Sequence, residues 1–343
     1  VVRAFETWEQ KYEKQYPSGE HRDRAFMTWV KNLETVQSIN ADPRSTWRAG
    51  LNAFADMSPT DFARVVLLDK KQGPLRPDSQ PMWSRQRAES HPDSFDWREK
   101  GAVTPVHDQG SVGTCWAFST IGNVEGQWFL NKNTLTDLSE EFLVDCDGTH
   151  DETHADCGVF GGWPYLAYQY IIEAGGVPSE ETWPYCSGTG DCYPCMQGPI
   201  SLCGPPPYYW YALFLFSLEK QCPIAEKSAQ ISDWVSVPED EDTLADALVD
   251  IGPLSALLDA TQLQFYHSGV WTGQIEGSPA AAGCKQGMYN HAVLIVGYGS
   301  ENDQEYWTVK NSWGEHWGED GYFRITRGAA ACGINGEVTS ATV

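Results

Sequence analysis

A cysteine, a histidine, an asparagine and a glutamine stand in settings that suit nucleophilic chemistry. Cys115 opens the run Cys115-Trp116-Ala117-Phe118-Ser119, six residues after Gln109. The spacing of Phe118, Ile121, Trp128 and Phe129 predicts that Cys115 begins a buried helix, with Thr114 as its cap. A thiol at a helix N-terminus beside an imidazolium is drawn toward thiolate, the reactive form. His291 precedes the apolar run 292–296, and Asn311 opens Asn311-Ser312-Trp313-Gly314. The Asn311 amide oxygen would accept from one imidazole nitrogen and fix the tautomer, with Trp313 keeping water off that bond. The Gln109 amide and the Cys115 N–H would stabilise a tetrahedral oxyanion. Singly, these are an inert buried cysteine, a core histidine, a turn asparagine and a surface glutamine. Together they make an activated nucleophile for acyl transfer.

The elements that must place these residues change character along the chain. Phe5, Trp8 and Tyr12, then Phe26, Trp29, Leu33, Val36 and Ile39, recur at helical spacing, and Thr46–Phe54 reads as extended. Residues 70–90 are polar, basic and broken by prolines, which predicts a linker open to cleavage. From Asp96-Trp97 the composition becomes core-like. Helices are expected from Cys115, over Leu138–Asp145, and over Trp163–Glu173 with a stop at Gly175-Gly176. Residues 186–222 concentrate Cys, Pro, Gly and Tyr and read as a disulfide-stapled insertion. Strands bounded by glycines are expected near 254–258, 292–297, 306–310 and 321–326. Helices first and strands later predict an α+β protein of two lobes, and no internal repeat is visible.

Bulk properties narrow the function. The 343 residues suit two or three domains. No run of about 18 apolar residues predicts a membrane helix. The net charge of −24, from 47 Asp and Glu against 23 Lys and Arg, argues against nucleic acid and suits an acidic compartment. The chain starts at Val1 with no charged-then-apolar leader, as expected if a signal peptide has been removed. Ten cysteines point to an oxidising compartment. Cys192-Tyr-Pro-Cys195 has no second pair to complete a zinc site, so neither metal nor cofactor is expected.

At these residues the chain resembles a papain-family cysteine protease precursor. Val112-Gly113-Thr114-Cys115-Trp116 is similar to the family signature C-G-[SA]-C-[WY], with valine for the first cysteine and threonine for the small residue. The order Cys, His, Asn holds, although the separations exceed the ~130–150 residues usual after the cysteine. The segments 93–110, 138–147 and 311–318 are further family blocks. Gly50-x-Asn52-x-Phe54-x-Asp56 matches the family's propeptide motif. The companion helical motif is partial: Trp29, Asn32, Val36 and Asn40 fit, while Glu20 and Arg24 stand one residue out of step.

The resemblance implies a papain-like two-lobe fold, a helical lobe (about 91–222) and a β-barrel-like lobe (about 223–343), preceded by an inhibitory propeptide over 1–90 that lies backwards through the cleft. It implies release of the propeptide at acid pH, with Asp56 among the carboxylates that titrate. It further implies peptide and protein substrates, cystatin-like inhibitors, and a lysosomal, endosomal or secreted setting. Gly113, Gly161, Gly162, Trp163, Pro164, Leu257, Ala292 and Trp313 would line the substrate cleft, and Glu337 would stand on the floor of a side-chain pocket where it would favour arginine. Cys284 would pair with Cys332 and Cys146 with Cys192. Setting Cys115 aside leaves nine cysteines, so at least one stays unpaired in a monomer, and Cys157, Cys186, Cys195, Cys203 and Cys222 are unassigned. The insertion begins where cathepsin B carries its occluding loop, but no histidine occurs between His154 and His267, which lowers a carboxydipeptidase below an endopeptidase. A catalytically dead papain-like binding protein and a transglutaminase-type acyl transferase are rival readings from different classes.

Overall fold

The computed structural model describes residues 1–68, 80–85, 91–147, 158–189, 226–273 and 283–343. The N-terminal module is built on two helices, α1 (Val2–Lys11) and the 23-residue α2 (Gly19–Ala41). Their apolar stripes meet through Phe5, Trp8, Ala25 and Trp29, all buried, with the Phe5 and Trp29 rings 5.6 Å apart, edge to face. Ser18 caps α2, its hydroxyl accepting from the His21 N–H. Two asparagines of the partial helical motif turn toward the glycine-led motif. The Asn32 amide donates to the carbonyls of Ala55 and Met57, both at 2.8 Å. The Asn40 amide donates to Ala49 O and accepts from Ala49 N, both at 2.9 Å, pairing like a strand with β1 (Trp47–Ala49). A short helix, α3 (Pro59–Val65), follows, capped by Ser58 and opened by proline.

Arg24 and Glu20 pair with each other on the surface of α2, one step away from the inner face. The cation that meets Asp56 is Lys14 from the α1–α2 connection, at 3.1 Å, joined by the Tyr16 hydroxyl at 2.9 Å. The expected extended stretch is shorter than Thr46–Phe54, because Ala55 N bonds Asn52 O and Met57 N bonds Phe54 O in turns.

The remaining chain forms two cores. In one, α4 (Cys115–Lys132), α5 (Glu140–Cys146) and α6 (Pro164–Ala174) pack around Trp116, Ile121, Phe142, Leu143 and Tyr168. α6 stops where Gly175 adopts φ +74°, in the left-handed region that glycine reaches freely. The second core holds α7 (Glu241–Ile251) against a twisted sheet. Its strands are β2 (Phe95–Asp96), β3 (Asp233–Ser236), β4 (Leu254–Leu258), β5 (Tyr266–Trp271), β6 (His291–Glu301), β7 (Gln304–Lys310), β8 (Tyr322–Thr326) and β9 (Val338–Thr342). The order is β1-β5-β8-β7-β6-β4-β9-β3, with β2 on β6. β1 thus extends the sheet from the N-terminal module, antiparallel to β5 with Trp47 opposite Gly269, and Trp47 stacks on Tyr266 at 6.2 Å.

The chain crosses between cores at both ends. Trp97 sits in the sheet core and donates to Leu248 O at 2.8 Å, while Trp234, Leu257 and Ala341 belong to the helical core. Between the cores lies a buried relay. Lys310 donates to Thr104, and Thr104 donates to Glu125, whose other oxygen accepts from Leu138 N. Burial pushes Glu125 up to about 8 and lowers Lys310. Beside them His107 bonds Glu140 at 3.1 Å, and that carboxylate raises the imidazole to about 9.

Two sequence expectations change here. Thr114 gives α4 no side-chain cap; its hydroxyl is taken by the Tyr185 hydroxyl at 2.8 Å. The described part of the expected linker, residues 80–85, is docked. Trp83 is buried and its N–H donates to Ser236 O at 2.7 Å, Ser236 N donates to Pro81 O, and Arg85 pairs with Asp246. Cys284 and Cys332 are bridged, with Cα atoms 5.1 Å apart, closing a loop worth about 4 kcal/mol in the entropy model. Cys146 and Cys186 are both disulfide-bonded. The pairing proposed for Cys192, the state of Cys157, Cys195, Cys203 and Cys222, and most of the 186–222 insertion lie outside the described residues.

Candidate active site

The helical core presents Cys115 as the first residue of α4, and the sheet core presents His291 as the first residue of β6. The two elements pack face to face, Gly122 of α4 leaving room for Leu294 of β6. Ser119 ties them by donating to Val293 O at 2.7 Å. Cys115 Sγ accepts the Ala292 N–H at 3.4 Å, which brings the thiol to the residue after His291. Asn311 follows β7, which pairs with β6 so that Leu294 stands opposite Lys310. His291 Nε2 and Asn311 Oδ1 are 2.7 Å apart. The same oxygen accepts the Ser312 N–H at 2.9 Å. An amide oxygen only accepts, so Nε2 carries the proton and Nδ1 is the free nitrogen of the neutral ring. Nδ1 has no hydrogen-bond partner among the described residues. Trp313 stacks on the imidazole at 4.7 Å and is itself buried by Trp317, edge on at 4.8 Å.

Gln109 is fully buried and has both ends engaged. Its Oε1 accepts from the Ser312 hydroxyl at 2.6 Å, and its Nε2 donates to Val112 O at 2.7 Å and to Val66 O at 3.0 Å. Val66 belongs to the N-terminal module. The expected oxyanion donor is therefore occupied by a carbonyl of the chain's own leading segment. Two residues on, Leu68 N donates to Asn290 O at 2.7 Å, beside His291. Aromatic contacts clamp the same segment, with Phe54 at 5.6 Å and Phe62 at 5.3 Å from Trp313, both edge on.

Coverage sets the electrostatics. Cys115 and His291 are both fully buried. Desolvation pushes the thiol up to about 12, against smaller opposing backbone hydrogen bonds. Desolvation also lowers the imidazole to about 4, against the bond to Asn311. With water excluded, both groups are neutral across the intervening range.

The other predicted residues gather around this pair. Gly113 N donates to Val159 O at 3.0 Å, which fixes the segment leading to Cys115. Gly161, at φ +125°, faces the Leu68 side chain, which a Cβ would approach to 3.2 Å. Gly162 backs onto Trp116, where a Cβ would fall 2.3 Å from the indole. Trp163 and Pro164 are buried at the start of α6. Leu257 and Ala292 are register partners across β4 and β6, both buried. Glu337 is half-buried just before β9, and its carbonyl accepts the Leu257 N–H at 3.1 Å. Sequence reasoning did not single out Val66, Leu68, Phe62, Ser312 or Asn290. Ser312 and Asn290 adjoin residues that it did, whereas nothing local marks Val66 and Leu68 as cleft occupants.

Comparison with known proteins agrees with this geometry. Residues 91–342 match the papain family cysteine proteases, and residues 5–62 match the cathepsin propeptide inhibitor domain. Mouse cathepsin F is 34% identical over all of this chain, which spans 65% of that protein's length. Cysteine proteinase 15A of Pisum sativum is 35% identical over 98% of the chain and 85% of its own length. The solved structure of digestive procathepsin L 3 of the Tenebrio molitor larval midgut superposes with a TM-score of 0.79 at 32% identity, covering 100% of this chain and 99% of that one. The chain belongs to the papain family of cysteine proteases, in precursor form with its cathepsin-type propeptide in place.

Proposed function

We propose that this precursor yields an endopeptidase in which Cys115, His291, Asn311 and Gln109 carry the chemistry. The observation that supports it most directly is the pair of bonds from Gln109 Nε2 to Val66 O and from Leu68 N to Asn290 O. Peptide main chain already occupies the donor and the acceptor that a substrate would need. Removal of the propeptide, with cleavage near residue 90, readmits water and lets the Cys115 proton pass to His291 Nδ1. The thiolate attacks the scissile carbonyl, and the oxyanion is held by Gln109 Nε2 and the Cys115 N–H. His291 then gives its proton to the leaving amine, and water releases the acyl-enzyme. Asn311 keeps the ring in the required tautomer. The cleft side chains Trp163, Pro164, Leu257 and Ala292 accept an apolar residue, and Glu337 beside Leu257 extends acceptance to arginine. The bridge at Cys284–Cys332 and the acidic surface fit a secreted or lysosomal setting.

The test is the matured protein against peptide substrates, with an epoxide thiol reagent as active-site label. Gln109→Ala is expected to lower kcat by ~10²–10³ while the label still reaches Cys115. Full activity in that variant would remove the oxyanion role, and failure of the label to react with the mature wild type would remove the nucleophile.

A further inference from the structure

The residue before His291 is held by a buried carboxylate that the catalytic groups do not use. Asp259 closes β4 and is 1% exposed. Its Oδ1 accepts from Thr261 N at 3.0 Å, from the Thr261 hydroxyl, and from Asn290 Nδ2 at 2.9 Å. Its Oδ2 accepts from Lys285 N at 3.0 Å. The Asp259 N–H donates to Cys332 O at 3.0 Å. The carboxylate thus gathers the turn after β4, the residue after Cys284 and the start of β6, while its own main chain ties to Cys332.

Asn290 is tied at each of its other polar atoms. Its Oδ1 accepts from Ala260 N at 2.7 Å, its Nδ2 also reaches the Thr261 hydroxyl at 3.0 Å, and its N–H donates to Leu258 O at 3.1 Å. The carbonyl is what remains, and it accepts the Leu68 N–H of the propeptide. An acceptor held this way loses little freedom when a peptide N–H arrives, so the bond favours binding more than a mobile carbonyl would.

We propose that Asp259 is a positioning residue: through Asn290 it fixes the carbonyl that receives a peptide N–H on the His291 side of the cleft. This rests on the cleft being the substrate site. It assigns to Asp259 a share of peptide recognition rather than of bond cleavage. The carboxylate acts by accepting several N–H and O–H donors at once, and an amide in its place turns an NH2 toward some of those donors.

The experiment uses the matured protein as wild type, Asp259→Asn and Thr261→Ala, with one good peptide substrate and a series in which each backbone N–H is methylated in turn. In the wild type, one methylation is expected to lower kcat/KM by about tenfold or more, the loss of a single hydrogen bond. In Asp259→Asn that penalty should shrink to about threefold or less, with KM raised for the unmethylated peptide. Thr261→Ala, which removes one arm of the same network, should fall between. Alkylation of Cys115 by iodoacetamide, which needs no peptide N–H, should keep its rate and pH profile in both variants. An undiminished methylation penalty in a folded Asp259→Asn or in Thr261→Ala would overturn the inference. So would an alkylation profile that moves as far as peptide hydrolysis, which would mark a general disturbance. A wild type that cleaves none of the peptides removes the protease reading instead, so the two failures are distinguishable.

Discussion

Truncating one propeptide aromatic should open the precursor by a calculable amount. Phe62 is completely buried, lies 5.2 Å from Phe54 and meets Trp313 edge on at 5.3 Å. Phe→Ala in such a setting costs about 3–5 kcal/mol, the apolar transfer term plus the cavity left behind. Part of that cost stays within the propeptide, because Phe54 is lost as a neighbour in the closed and the open forms alike. If about 3 kcal/mol falls on the Trp313 packing that opening breaks, the closed-to-open equilibrium shifts roughly 150-fold. Cys115 is inaccessible when the cleft is covered, so its labelling by an epoxide reports the open fraction. In the intact precursor at neutral pH, with a Gln109→Ala background to suppress self-cleavage, Phe62→Ala should label on the order of 100-fold faster than its parent. Phe129→Ala, at the end of α4 opposite Cys115 and partly buried against the sheet core, should leave the rate within about threefold. Equal labelling of the Phe62 variant and its parent would mean that the Trp313 contacts do not hold the propeptide closed.

Three other perturbations probe different parts of the molecule. Lys14→Met leaves Asp56 with the Tyr16 hydroxyl and no cation in a partly buried site, which should weaken closure by about 1–2 kcal/mol and speed labelling roughly tenfold; an unchanged rate would show that the ion pair is neutral in energy. His107 is raised from 6.5 to about 9 by Glu140, so its contribution is complete below pH 6.5 and disappears as pH rises through 9. In a Cys115→Ala background, His107→Gln should lose roughly 2–3 kcal/mol of stability to denaturant at pH 6, allowing for partial solvent screening, and almost none at pH 10; a deficit equal at both pH values would refute the ion-pair account. Glu337→Ala should reduce cleavage of peptides presenting arginine to the pocket more than of those presenting leucine or phenylalanine, and equal losses in a paired kinetic comparison would remove Glu337 from specificity.

What the sequence made legible was chiefly what is local. Each site residue sits in a short run whose period also reports its element, as with Cys115 before an apolar helix and His291 before an unbroken buried strand. α6 was legible to within a residue because Gly175 supplies the left-handed stop. The pairing of β1 with β5 was not, since Trp47 and Gly269 are far apart in the chain and nothing near either names the other. Lys14 as partner of Asp56 was hidden for a related reason: the cation comes from a turn, while the helical positions that drew notice, Glu20 and Arg24, satisfy each other outside. Composition misled at residues 80–85, where polar and proline-rich neighbours conceal a buried Trp83. Thr114 had the right side chain for a cap, and a tertiary contact with Tyr185 outcompeted it. The neutral state of the Cys115–His291 pair follows from water exclusion by Val66 and Leu68, a long-range fact that no motif encodes.

The alliance of β1 with β5 has a cost that appears only on maturation. While the propeptide is attached, Val270 N donates to Thr46 O, Phe265 O accepts from Gly50 N, and the Tyr266 ring lies under an indole. Cutting the leader away strips this flank of the sheet and leaves an amide, a carbonyl and an aromatic face turned to solvent. Such a bared margin can recruit another extended chain. The departing segment has therefore been shielding two things at once, the Cys115 sulfur and a raw selvedge of the fold.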